Sequence, residues 1–353
     1  MSNFLNFPIE KIKEGSVEIF IPREKKISKQ LPVFYNPAMK LNRDITILLL
    51  QQFPPMNLCD PLAASGIRAI RFAKELKYKS ITANDMNKKA VALIKKNMRY
   101  NKVNFEVYNK DANLLLLESF GFDFIDLDVF GSPNFMLDAA CKSISRNGIL
   151  AVTATDTSAL CGTYYDACKR KYWAAPKSSQ QMHEIGLRIL IRKVQLVAAQ
   201  YDKALVPIFS YSKDHYMRIF LRVEKNKNAV DEILKHHKML KDAGPLWAGK
   251  LWDENLAKKM WNSGRKSKIF SGNKELLKFL EIVKEESKID SVGFHDIHHL
   301  CKSYKLQVMP KKAELIKEIT RRGFKASETH FRGEGIRSDI DEKNLVDIMK
   351  KSR

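Results

Sequence analysis

The chain has 353 residues, 44% of them hydrophobic, with 62 lysines and arginines against 40 aspartates and glutamates and a formal net charge of +22. That hydrophobic share excludes a disordered chain, and the length exceeds what one compact core usually holds, so two domains are expected. The positive excess is spread, roughly +13 up to Val223 and roughly +9 after it, which suits an extended contact with nucleic acid better than a single basic tail.

Five cysteines, Cys59, Cys141, Cys161, Cys168 and Cys301, show no CxxC spacing. They fit neither a disulfide framework nor a zinc motif and read as reduced thiols of a cytoplasmic protein. The opening residues MSNFLNFPIEKIKEG lack the apolar core of a signal peptide, and the apolar stretch near Ile45 to Leu50 is too short to span a bilayer. No membrane association is expected.

Along the chain, residues 8–35 alternate polar and apolar positions in VEIFIP and LPVFYN and predict short strands forming a hairpin or lid. Asn42 or Asp44 is positioned to cap a helix over ITILLLQQF. Strand and helix signals then alternate. Strands are expected at Asn57–Asp60, Ser80–Asp85, FEVYNKD, Phe122–Phe130 and Asn147–Asp156, with helices over IRAIRFAKEL and KKAVALIKKNMRYN. Buried strands separated by helices predict a parallel sheet in a doubly wound α/β domain, finished by the paired edge strands KALVPIFSYS and YMRIFLRVE. The polar segment after Val223 sets the expected boundary, giving domains at 1–223 and 224–353. The second is mainly helical α+β: two amphipathic helices flank a turn at Leu306–Pro310 and a strand follows Gly323, which fits either a winged helix-turn-helix or a plain helical hairpin.

Open parallel sheets bind ligands at the carboxyl ends of their strands. After strand one stands Asp60, then a loop of small residues through Ser65, Gly66 and Arg68. The loop lets a ligand approach the backbone but lacks GxGxxG, so a dinucleotide pyrophosphate cradle is not expected. A nucleoside without phosphate, such as S-adenosylmethionine, needs only room, backbone amides and acceptors. Asp85 after strand two suits the ribose hydroxyls, and Asp111 with Ala112 after strand three suits the adenine amine. One strand-end aspartate means little because turns favour Asp; Asp60, Asp85, Asp111 and Asp128 in succession are a pattern. Strand four ends in Asp128-Val129-Phe130-Gly131-Ser132-Pro133. An exocyclic amine is a poor nucleophile, its lone pair delocalised into the ring. A carboxylate and a backbone carbonyl that accept from it both orient it and offset its developing charge. Asp128 meets that need, Phe130 offers a stacking face, and Gly131 and Pro133 shape the turn.

The segments LPVFYNPAMKLNRD, DPLAASGIRAIRFAKE, DLDVFGSP, TATDTSALCGTY, KRKYWAAP, KDHYMRIFLRV, GPLWAGKLWD and SETHFRGEGIRSD resemble, in order from Val33 to Asp339, the tRNA guanine-26 N2-dimethyltransferase family. The resemblance implies a class I, Rossmann-like methyltransferase domain followed by a C-terminal tRNA-binding domain. It implies transfer of one or two methyl groups from S-adenosylmethionine to N2 of guanine 26. Cofactor contacts are implied for Arg43, Arg68, Asp85, Asp111 and Ala112, and catalysis for Asp128 and the turn after it. Two departures stand out. The family usually reads Asp-Pro-Phe-Gly where this chain has Val129, which frees an N–H and is expected to affect rate or the second methylation, not the reaction. Many members also carry four cysteines before GPLW; here there are none, and adjacent His236 and His237 point apart on a helix, so no metal is expected.

Asp156 and Thr157 follow strand five and either border a base pocket or cap a helix. Tyr164, Lys169 and Arg170 lie in a stretch of interleaved aromatics and cations suited to RNA stacking and phosphate contact. Lys311, Lys312, Lys317, Arg321 and Arg322 form a helix face that meets either phosphate or solvent. Amine methylation of another RNA or DNA base, or RNA binding by a methyltransferase fold without catalysis, are the alternatives. A DNA enzyme would show an aromatic after two prolines, and RNA binding alone would not maintain four acidic strand ends.

Overall fold

The computed structural model describes residues 5–23, 31–119 and 121–351. The chain opens with an antiparallel hairpin of β1 (Ile9–Glu14) and β2 (Val17–Pro22). Its turn holds Gly15 at φ +59°, where a side chain would drive into Glu75 and Arg71. Val17, Ile19 and Ile21 alternate inward. Asn97 clamps the hairpin, accepting from the Phe20 N–H at 2.7 Å and donating to its carbonyl at 2.9 Å. The strand expected in LPVFYN does not form: residues 31–36 are irregular, and residues 24–30 lie outside the described residues.

A 3-10 turn at Pro37–Met39 leads into α1 (Lys40–Leu50). Asn36 caps that turn by accepting from the Ala38 N–H at 3.0 Å, and Pro37 occupies a first position where no N–H is needed. The cap expected at Asn42 or Asp44 is therefore corrected. Both residues lie inside α1 and are buried, because the Asn36-Pro37 pair starts the helical path earlier.

Strand and helix then alternate through β3 (Asn57–Asp60), α2 (Ile67–Glu75), β4 (Ser80–Asn84), α3 (Lys88–Asn101), β5 (Glu106–Tyr108), α4 (Ala112–Glu118), β6 (Phe122–Asp128), α5 (Asn134–Ser143) and β7 (Ile144–Ala154). Helices α6 (Thr157–Leu160), α7 (Tyr165–Tyr172) and α8 (Met182–Ala199) follow, then β8 (Lys203–Lys213) and β9 (Tyr216–Lys225). β3 to β9 form one seven-stranded sheet in the order β5-β4-β3-β6-β7-β9-β8, with β9 antiparallel to both its neighbours. Phe124, Ile125, Asp126 and Leu127 of β6 are all buried, so both faces of the sheet are covered. β5 is shorter than the FEVYNKD expected, since Asp111 already caps α4.

The rest of the chain comprises α9 (Lys227–Lys235), the β10 (His237–Leu240) and β11 (Ala243–Trp247) hairpin, α10 (Glu254–Lys266) and α11 (Lys274–Glu286). It ends with β12 (His295–Asp296), α12 (Ile297–Ser303), α13 (Lys312–Arg321), β13 (Ala326–Glu328), β14 (Gly335–Ser338) and α14 (Glu342–Lys351). β12, β14 and β13 pair antiparallel in that order. The succession α11-β12-α12-α13-β13-β14 is that of a winged helix-turn-helix, and its small sheet separates it from a plain helical hairpin. Ile297, Leu315, Ile319, Ile336 and Leu345 give this part its own apolar cluster, while the main core continues past residue 224 through Leu246, Met260 and Leu280.

A buried ion cluster ties the winged part to the sheet domain. Arg337 of β14 reaches Glu184 of α8 at 2.6 Å and Glu286 of α11 at 3.0 Å. Glu184 also pairs with Arg188 at 2.9 Å and accepts from the Gly293 N–H at 2.9 Å, and His330 Nδ1 lies 2.5 Å from Glu286. Among the described residues no helix is long and apolar enough to cross a membrane.

Candidate functional site

A cleft opens at the carboxyl ends of β3 and β6, walled on one side by the segment entering α1. Its floor begins where β3 delivers Asp60. The chain then turns sharply, with Ala64 at φ 47° and Gly66 at φ +77°, and enters α2. A Cβ on Gly66 would press onto Ile94 at 3.0 Å, so the turn packs tightly on α3. Asp85 braces the loop: one carboxylate oxygen accepts from the Ala64 N–H at 2.9 Å, the other from the Asn87 N–H at 2.8 Å. Asp60 is 3% exposed and its Oδ2 has no hydrogen-bond partner among the described residues. Burial pushes its carboxyl up to about 7, against the pull of Arg68 and with the help of Asp126, Asp128 and Asp85. A cationic ligand group is what this carboxylate lacks.

Across the cleft floor, Asp126 and Asp128 alternate to one face of β6 and meet Arg68 of α2. Arg68 Nη1 lies 3.2 Å from Asp126, and Nη2 donates to Asp128 in a short ion-paired hydrogen bond. Arg68 also donates to Thr46 Oγ1 at 3.2 Å and Asn42 Oδ1 at 3.1 Å. Burial alone would raise the Asp128 pKa, but the charges of Arg68 and Arg218 outweigh it and hold the carboxyl below its ordinary value. Asp128 is thus an ionised acceptor at neutral pH, and its side chain is still 21% exposed to the cleft.

Beyond Asp128 the turn is pinned to the segment after β7. The Gly131 N–H donates to Thr155 Oγ1 at 2.6 Å, and the Thr155 N–H returns a bond to the Gly131 carbonyl at 3.0 Å. Phe130 is 46% exposed, and Phe34 meets it edge to face with ring centroids 4.2 Å apart. Val129 is buried and lines the cleft. Arg43 of α1 enters from the opposite wall under a bidentate grip by Glu14, at 2.7 and 2.6 Å. The same grip, together with Arg71, overcomes burial and holds Glu14 down to about 2. Tyr35 donates to Glu14 at 3.1 Å and lies against the Arg43 guanidinium.

The structure thus gathers Arg43, Asp60, Ser65, Arg68, Asp128, Val129 and Phe130 around one cleft, with Gly66, Asp85 and Gly131 bracing its loops. The other expected site residues stand outside its lining. Asp111 is an exposed cap, accepting from the Asn113 and Leu114 N–H groups at 2.9 and 3.1 Å, and Ala112 is buried behind it. Asp156 is engaged by the Tyr172 hydroxyl at 2.5 Å and by Lys171 at 3.3 Å, and Thr157 opens α6. Tyr164, Lys169 and Arg170 are exposed around α7. Sequence reasoning passed over Phe34, Tyr35 and Asn36, which all line the cleft, and Glu14, which grips Arg43. The first three sit in a segment read as strand; only the Asn36-Pro37 pair signalled otherwise. His295 Nε2 lies 3.0 Å from the Ile340 carbonyl, and among the described residues no group of three or more His, Cys, Asp or Glu is placed to hold a metal ion.

A parallel sheet closed by one antiparallel strand in this order, with acidic residues at the ends of its first, second and fourth strands, defines the class I methyltransferase fold. Within that class the chain belongs to the N2,N2-dimethylguanosine tRNA methyltransferase family, whose sequence model matches residues 15–243 and 234–350. It is 36% identical to the tRNA (guanine(26)-N(2)/guanine(27)-N(2))-dimethyltransferase of Aquifex aeolicus over 97% of this chain and 95% of that one. It is 37% identical to the tRNA (guanine(26)-N(2))-dimethyltransferase of Thermococcus kodakarensis, over 96% and 98% of the two chains. The fold superposes on Trm1 from Pyrococcus horikoshii, solved with S-adenosyl-L-methionine, with a TM-score of 0.89 at 34% identity, covering 97% of this chain and all of that one.

Proposed function

We propose that this protein transfers methyl groups from S-adenosylmethionine to the exocyclic N2 of guanine 26 in tRNA. The observation that carries the chemistry is the ionised, cleft-facing Asp128 carboxylate on Arg68, beside the Asp60 loop. The chain's residues suit the cofactor. Asp60, buried and with one oxygen unpaired among the described residues, suits the amino group; Arg43, gripped by Glu14 at the cleft wall, suits the carboxylate; Asp85 suits the ribose hydroxyls, and Asp111 with Ala112 the adenine. When bound, S-adenosylmethionine supplies an electrophilic methyl group.

The remaining steps belong to the protein. The target guanine leaves its stack and lies on Phe130, whose ring is steadied by Phe34. Asp128 accepts from the N2 amine, orients its lone pair and offsets the positive charge that develops there as the new bond forms. The Gly131–Thr155 exchange keeps the turn and the Val129 carbonyl in place. Because Arg68 holds Asp128 ionised, its main contribution is electrostatic; the surplus proton leaves once N2 carries its methyl group. Tyr164, Lys169 and Arg170 lie exposed together and suit phosphate and stacking contacts with the RNA. Asp156 is the base contact that Tyr172 and Lys171 would hold ready. We read residues 1–223 as the catalytic domain and 224–353 as an RNA-binding domain acting in the cytoplasm.

The test is methylation of an unmodified tRNA transcript, with nucleoside mass spectrometry of the product and substitutions at positions 26 and 27 as controls. N2-methylated guanosine that disappears with guanine 26 is the expected result. Product that survives both substitutions, or that forms only in DNA, overturns the assignment.

A further inference from the structure

We propose that Arg218, on the antiparallel strand β9, is a positioning residue for catalysis: with Asp126 it holds Arg68 against Asp128 and so sets the place of the accepting carboxylate. This rests on the reading of Asp128 as the acceptor.

Sheet register brings the parts together. Asp128 of β6 pairs with Thr153 of β7, and Thr153 pairs with Arg218 of β9, so the three stand in one row across three strands. Residues directly opposite in a sheet point to the same face. Arg218 grips Asp126 with its two terminal guanidinium nitrogens, at 2.8 and 2.7 Å, and donates to Thr153 Oγ1 at 2.9 Å. Asp126 in turn touches Arg68 at 3.2 Å, and Thr46 Oγ1 accepts from Arg68 and from Arg218, each at 3.2 Å. Two arginines and two aspartates from three segments thus form one chain of contacts, and its far end, Arg68 with Asp128, lines the cleft.

Arg218, Asp126 and Thr46 are completely buried. A buried ion pair seldom stabilises a fold better than apolar residues of equal volume, so its presence calls for another reason. The contacts supply one. Arg68 has two carboxylates to serve; with Arg218 neutralising Asp126 from the far side, Arg68 can give its shorter bond to Asp128. Without Arg218, Asp126 draws Arg68 inward and Asp128 loses both its orientation and part of the charge that keeps it ionised. The charged or titratable groups facing Asp128 are Arg68 of α2, Arg218 and Tyr216 of β9, Arg43 of α1, Asp126 of β6 and Asp60 of β3.

The experiment compares Arg218→Gln, Arg218→Lys and Asp128→Asn in the full chain. For Arg218→Gln, kcat is expected to fall ten- to a hundredfold and the acid limb of its pH profile to move to higher pH. Cofactor affinity by calorimetry and KM for tRNA should change less than threefold. Arg218→Lys keeps the charge and should leave the acid limb in place with a smaller loss in kcat. If Arg218→Gln does not fold, Thr46→Val removes the shared hydroxyl without touching charge, and a several-fold fall in kcat at unchanged cofactor affinity is expected. Wild-type kcat and pH profile in a folded Arg218→Gln or Thr46→Val enzyme, or a loss of stability alone, overturns the proposal. Full activity in Asp128→Asn would instead overturn the reading of Asp128 as the acceptor on which it rests.

Discussion

Two buried ion clusters of similar make-up sit in different parts of the molecule. One joins Arg68, Arg218, Asp126 and Asp128; the other joins Arg188, Arg337, Glu184 and Glu286. Both are two arginines against two carboxylates, and both draw members from distant segments. They differ in closure. Every side chain of the second is at most 2% exposed, and its carboxylates lie below their ordinary pKa because Arg337 and Arg188 at Glu184, and His330 with Arg337 at Glu286, overcome burial. The first ends at a carboxylate that still faces the cleft, next to Asp60, one oxygen of which has no hydrogen-bond partner among the described residues. A sealed, fully satisfied cluster acts as a rivet, whereas one with an open end and a missing counter-charge is a site waiting for a ligand.

The comparison is easiest to break at the rivet. Arg337→Met would leave Glu184 and Glu286 short of charge in the interior and should cost about 3–5 kcal/mol of stability. Thermal unfolding should show the loss, while kcat per folded molecule at low temperature stays near wild type; a large drop in kcat with stability intact would mean the two clusters are not separate in function. At the open end the pattern should reverse. Asp128→Asn should lower kcat about 10²–10³-fold, comparable to losing one transition-state hydrogen bond, with an unchanged melting temperature and unchanged cofactor binding by calorimetry.

Asp60 sharpens the contrast further. Its carboxyl sits at about 7 in the folded chain against an ordinary value of 3.8. Ionisation therefore costs stability progressively as pH rises from about 4 to about 7, and nothing below that window. Asp60→Asn should accordingly gain stability over wild type at pH 8 and show no gain at pH 4, while binding S-adenosylmethionine roughly tenfold more weakly. Equal binding by the variant would remove Asp60 from the cofactor site. The smallest effect is a proton count. A cation docking at Asp60 pulls its pKa down, so binding near pH 6 should release up to about one proton and above pH 8 none. Calorimetry in buffers of different ionisation enthalpy measures this directly, and release that does not depend on pH would assign the proton elsewhere.

The strand ends were legible in the sequence because alternating strand and helix signals put Asp60, Asp85 and Asp128 at the same end of a parallel sheet whatever the details of packing. The helix start was misread because Asn36-Pro37 was counted within a polar–apolar alternation, where a cap and its proline outweigh two or three alternating residues. Asp111 caps α4 as well as following β5, a local role that its place in the sequence does not reveal. The residues that set the charges were invisible for a different reason. Glu14 lies 29 positions from Arg43, Arg218 lies 92 from Asp126 and Arg337 lies 153 from Glu184. No periodicity links such pairs; only the sheet order and the packing of helices bring them within 3 Å.

The hairpin clamped by Asn97 has an implication for descent. Through Glu14 it holds the counter-charge of both Arg43 and Arg71, at 2.6 and 2.9 Å. A lineage could not trim this short N-terminal appendage and keep Arg43 unchanged, since Arg43 has no other ion-pair partner among the described residues, whereas Arg71 would still hold Asp44 at 2.7 Å and Glu75 at 2.9 Å. Where relatives lack an acid at this position, a second change at the position of Arg43 should be found alongside it, inherited together with the loss.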